Sequence, residues 1–155
     1  MSPELRLEAA KAFWQDDESP DVQLQQSEAV VAIARKMNFR PRSVQSMPTE
    51  RLAKALARLS DVSDSISTRA LIAFHFDARR ELMGAFLDAL GIKHDQGTID
   101  DGEDVEAPDA QALSGAIETV KRSFQEPDVT LYMRTLAALD GETWVNLSAL
   151  IEPTD

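Results

Sequence analysis

A chain of 155 residues without a cysteine is large enough to bury about two-thirds of the surface its unfolded form exposes, so it needs neither disulfide nor metal to fold. The missing thiols exclude disulfides, thiolate nucleophiles, cysteine zinc sites and iron–sulfur clusters. The net charge of −11 is unevenly placed. Residues 1–93 hold thirteen acids and thirteen bases, and residues 94–155 hold fourteen acids against Lys121, Arg122 and Arg134. An acidic surface of that kind repels phosphate backbones and keeps a protein soluble, so nucleic acid is disfavoured as a partner of this part.

Helix signals run along the chain. Pro3 suits a first helical turn, where its missing N–H costs nothing. Glu4 to Asp17 then carries a broad apolar face through Leu5, Ala9, Ala12 and Phe13, with Leu7, Ala10 and Trp14 beside it. Ser19-Pro20-Asp21 reads as a break with Ser19 as the cap of the next helix, which runs to about Asn38. Pro41 and Pro48 bracket at most a short helical turn, and Thr49 to Leu59 reads as a further helix through Leu52, Ala55, Leu56 and Leu59. Ser63-Asp64-Ser65 caps what reads as the longest helix, about Ile66 to Leu90. Gly91 stands where a left-handed C-terminal cap belongs, and Ile92 is placed to fold back.

His94 to Asp109 has few apolar side chains and seven carboxylates, which predicts a mobile acidic connecting loop. Pro108-Asp109 restarts a helix through Leu113, Ala116 and Val120, and Glu126-Pro127-Asp128 restarts another through Val129, Tyr132, Met133 and Leu136. Asp140-Gly141 stops it before a short amphipathic piece from Trp144 to Ile151. No sustained alternating run of β-branched residues occurs, so no sheet is expected. The expectation is an all-α, single-domain bundle of six to seven helices over residues 1–155. It subdivides into a charge-neutral core (1–93), an acidic loop (94–109) and acidic C-terminal helices (110–155). The polar N-terminus lacks a signal-peptide core and no apolar run approaches the ~20 residues of a membrane span, which favours a cytoplasmic protein with no membrane partner.

Three constellations bear on function. Ala34, Asn38 and Val44 have the spacing of a helix-turn-helix, with a small residue at the contact, a turn residue four on and a β-branched residue six further. Arg35, Lys36, Arg40 and Arg42 add positive charge, so residues 30–47 resemble a degenerate helix-turn-helix. Pro48 limits the would-be recognition helix to about two turns, and nucleic acid is the alternative rather than the leading partner. Across Arg35 to Arg58 there are seven bases and one acid, Glu50. Second, His75, Arg79 and Arg80 on the long helix, with Tyr132, offer polar groups for a small ligand inside the bundle. Third, Trp144, Leu147 and Ile151 recur at near-helical spacing and either pack back on the bundle or dock onto a partner protein or a second copy.

Catalytic signatures are absent. The nucleophile elbow, the phosphate loop, the dinucleotide fingerprint and His-Glu-x-x-His do not occur. His94-Asp95 has the look of a metal-binding pair but follows a helix-ending glycine. The acidic loop fails the EF-hand register whether it begins at Asp95, Asp100 or Asp101. No metal or cofactor is expected. The reading these signals favour is a non-enzymatic helical module working through protein–protein contact or self-association.

Overall fold

The computed structural model describes residues 1–17, 22–100 and 102–151. The proposed Ser19 cap and Asp101 lie outside these residues. Among those described the chain is helical, with no strand. It divides into two compact units, Met1–Asp77 and Ala78–Asp155.

The first unit is built from α1 (Pro3–Gln15), α2 (Val22–Met37), α3 (Pro41–Gln45), α4 (Thr49–Ala57) and nearly all of α5 (Asp64–Ala78). Ser2 caps α1 by accepting the Leu5 N–H at 3.2 Å, with Pro3 at the first helical position. At the other end of α1 the Gln26 amide of α2 donates to the carbonyls of Phe13 and Asp16, which supplies partners to carbonyls that a helix terminus leaves bare. α1 packs along α4, and α2 packs on α3 and α4. Ala9, Ala10 and Phe13 of α1, Ile33 and Ala34 of α2, Val44 of α3 and Leu52, Ala53 and Leu56 of α4 are buried. The alanines matter here because small side chains let helix axes approach closely.

Asn38 ends α2 in the left-handed region (φ 56). The Phe39 N–H reaches back to the Ala34 carbonyl at 2.9 Å and the Asn38 N–H to Arg35. That double closure is a Schellman cap, with asparagine in the place usually taken by glycine. Arg40 then opens α3 with Pro41 at its first position.

The expected helix from Ile66 to Leu90 is two helices. α5 stops at Ala78 and α6 (Arg80–Ala89) begins directly after Arg79, whose backbone leaves helical geometry (φ −132, ψ 24). Neither proline nor glycine marks the break. The Arg79 guanidinium donates to the Ala78 carbonyl at 3.1 Å and reaches Asp128 at 3.6 Å, so one side chain serves a carbonyl at the break and an acid on a later helix. With α3 and this division, the described residues form nine helices rather than six or seven.

The second unit contains α6, α7 (Ala110–Lys121), α8 (Glu126–Leu139) and α9 (Val145–Ile151). α7 packs on α6, α8 and α9, and α8 packs on α9. Phe86 is central, edge-on to Tyr132 at 5.7 Å and tilted over Trp144 at 5.9 Å. Gly91 (φ 69) closes α6: Gly91 N–H donates to Asp88 and Ile92 N–H to Leu87, the cap the sequence predicts. Asp109 accepts the Ala112 N–H at 2.7 Å and starts α7.

Between α6 and α7, the first residues of the acidic segment fold tightly. Asp95 and Thr98 exchange two backbone hydrogen bonds, and Gly97 (φ 86) presses so close to α6 that a Cβ there would lie 2.6 Å from the Met83 Cβ. His94 ties the turn down. Its Nδ1 accepts the Gly97 N–H at 3.0 Å, so Nε2 carries the proton and donates to Asp88 at 2.8 Å.

A cationic groove as the candidate functional site

α4 is strongly two-sided. Leu52, Ala53 and Leu56 face the core, while Arg51, Lys54 and the capping Arg58, three and four residues apart, lie exposed along the opposite face. Where this face meets α2, a groove of about 400 Å³ opens. Its floor is apolar, made by Ile33 and Met37 of α2 with Ala55 and Leu59, and its rim is Lys36, Arg51, Lys54 and Arg58. Lys54 pairs with Glu50 at 3.3 Å, but both side chains are more than half exposed, and such a pair contributes little. Among the described residues no ion-pair partner is recorded for Lys36, Arg51 or Arg58. The rim therefore offers charge that internal pairing leaves largely uncompensated.

On the other side of α4, Lys54 and Arg58 also line a hollow of about 310 Å³ with Pro3, Arg6, Leu7 and Ala57. The Arg6 guanidinium is held there by the Leu59 carbonyl at 3.2 Å. α4 is thus a basic ridge between two apolar-floored depressions. A third, smaller hollow of about 180 Å³ lies between α1 and α5, lined largely by alanine, leucine and isoleucine, with Arg6, Ser60 and Ser67 as its polar members. It brings no set of titratable groups together.

The residues singled out from sequence fall in different places. Of Arg35, Lys36, Arg40 and Arg42, all exposed, only Lys36 lines the groove. Ala34 and Val44 are buried and Asn38 makes the turn. Yet α3 has five residues, about 7.5 Å of helix, which is too little to lie along a major groove. Arg51, Lys54 and Arg58 belong to the basic run from Arg35 to Arg58, and the sequence signal for their shared face is their spacing opposite the buried Leu52 and Leu56.

His75 is buried in the first unit and gives its Nδ1 proton to the Leu71 carbonyl, 2.6 Å away. Arg79, Arg80 and Tyr132 belong to the second. Arg79 reaches Asp128, Arg80 donates to the Gln96 carbonyl at 3.4 Å, and Tyr132 is buried against Phe86. Burial drives the Tyr132 phenol well above its ordinary range, because the phenolate would lose its hydration. Trp144 and Leu147 are buried in the second unit and Ile151 is half-buried. The apolar residues this region exposes are Leu139, Val145 and Leu150.

Among the described residues no group of three or more histidine, cysteine, aspartate or glutamate side chains is placed to hold a metal. In the same residues no helix is long and apolar enough to cross a membrane. The class this fold and groove define is a protein whose described residues are helical and carry a groove with a basic rim and an apolar floor. Compared with protein families, with characterised proteins and with solved structures, the chain matches none.

Proposed function

We propose that the protein is a non-enzymatic interaction module whose α2–α4 groove receives an acidic segment of a partner protein, with apolar side chains of that segment seated on the floor. The observation that carries this reading is the combination of a four-cation rim with an apolar floor. A carboxylate-bearing segment engages the rim by charge, which speeds encounter and sets register, and its apolar anchors supply the buried area that holds affinity. A nucleic-acid backbone would use the rim and leave the half-buried Met37 and Ala55 of the groove uncovered. The cations of Arg35, Arg40 and Arg42 lie outside the groove, so the duplex alternative rests on a different face.

The test is fluorescence anisotropy with three labelled probes: an acidic peptide carrying leucine and phenylalanine anchors, the same peptide with serine in place of the anchors, and a short DNA duplex. The anchored peptide is expected to bind at least about tenfold (about 1.4 kcal/mol) more tightly than the serine version, and Arg51→Glu with Lys54→Glu and Arg58→Glu should abolish its binding. Equal binding of all three probes, each lost steeply with salt, would replace docking by general polyanion binding. No binding of the anchored peptide would end the reading.

A further inference from the structure

The chain itself carries a surface with the chemistry the groove selects. At the turn between α8 and α9, Leu139 and Val145 are 53% and 55% exposed, and Asp140 and Glu142 lie between them in the chain. Asp140 is fixed there, accepting the N–H groups of Glu142 at 3.2 Å and Thr143 at 3.1 Å. Neither acid has an ion-pair partner among the described residues. The corner therefore presents two apolar knobs flanking two carboxylates on an ordered turn, in the part of the sequence that holds the whole negative excess.

We propose that a second copy of this chain occupies the groove, its α8–α9 corner placing Leu139 and Val145 over the apolar floor while Asp140 and Glu142 meet the basic rim. The inference rests on the docking reading above and names its partner. Groove and corner are different surfaces, so the contact is head-to-tail: each copy offers one of each, and association continues until a ring closes or a filament runs on. Exposed charges carry much of the encounter, so the assembly weakens as salt shortens the range of their attraction.

Sedimentation velocity across protein concentration, at low and high salt, is the first measurement. The expected result is mass that grows with concentration at low salt and returns to monomer at high salt. Two surface variants then address the geometry: a groove variant, Arg51→Glu with Lys54→Glu and Arg58→Glu, and a corner variant, Leu139→Lys with Glu142→Lys. Circular dichroism checks that both remain helical. Each variant alone should be monomeric, whereas an equimolar mixture, which restores one intact groove facing one intact corner, should stop at a dimer. Wild-type protein that stays monomeric at every concentration overturns the proposal, as does an assembly that neither variant disturbs. If the wild type is monomeric while the anchored acidic peptide still binds the groove, self-association falls and docking stands. If the peptide fails as well, both fall.

Discussion

Tyr132 is the chain's single tyrosine, and its ring lies buried edge-on to Phe86. Its raised pKa has a direct consequence for stability. The folded state keeps the phenol proton after the unfolded chain has begun to lose it, so stability is unaffected by this group below about pH 10 and declines as pH rises beyond that point. In an alkaline titration, tyrosinate absorbance should therefore appear together with the loss of helical circular dichroism. Phenolate forming in a fully helical protein would show that the ring is not sealed. Gly97 is the other residue on which much depends. Its positive φ and its approach to Met83 leave no room for a methyl group, so Gly97→Ala should lower stability by about 1–3 kcal/mol, read as a shift in urea midpoint at constant slope. His94 was legible only as a possible ligand beside Asp95. The structure occupies both ring nitrogens, with Asp88 and the Gly97 amide, and those contacts depend on a turn whose shape no local spacing announces.

Helix ends were readable where a residue with special backbone or capping chemistry stands at them. Pro3, Asp109 and Pro127 start helices, and Gly91 ends one with both expected back-bonds. The division at Arg79 was not readable, because the apolar rhythm continues through it and the groups that favour the break, the Ala78 carbonyl and Asp128, belong to tertiary structure. Asn38 lies between these cases: the sequence shows a turn residue there, and the left-handed cap follows from the back-bond of Phe39 to Ala34. Glycine adopts that conformation without strain, so Asn38→Gly should change stability little. Asn38→Val should cost about 1–2 kcal/mol, and thermal melts of the two variants would separate cap strain from loss of the asparagine side chain. The groove was half legible. The basic run and the α4 spacing are in the sequence, but the floor exists only because α2 brings Ile33 and Met37 beside Ala55 and Leu59.

At the scale of the molecule, the all-helical class followed from the lack of alternating β-branched runs and from the recurring apolar stripes, and the described residues are helical without a strand. The bundle of six or seven helices resolves into nine among the described residues, grouped in two compact units, because periodicity shows which face of a helix is apolar and not which helix that face will meet. The C-terminal piece illustrates the point. Its spacing allowed either docking or packing back, and Trp144 and Leu147 are buried. Trp144→Ala should therefore cost about 3–5 kcal/mol, seen as a lowered melting temperature of the second unit. A variant that melts as the wild type does would show that Trp144 contributes no core packing.

The two tryptophans divide between the two units, Trp14 on α1 with its ring edge-on to Phe13 and Trp144 beside Phe86 in the second. Each unit thus contains its own intrinsic fluorophore. Trp14→Phe leaves emission that reports only on the second unit, and Trp144→Phe leaves emission that reports only on the first. Followed through denaturant, one colour per variant would show whether the halves of this chain lose their structure in a single transition or in two. The cysteine-free background allows a single engineered thiol to carry a dye or quencher at either unit without competing reaction.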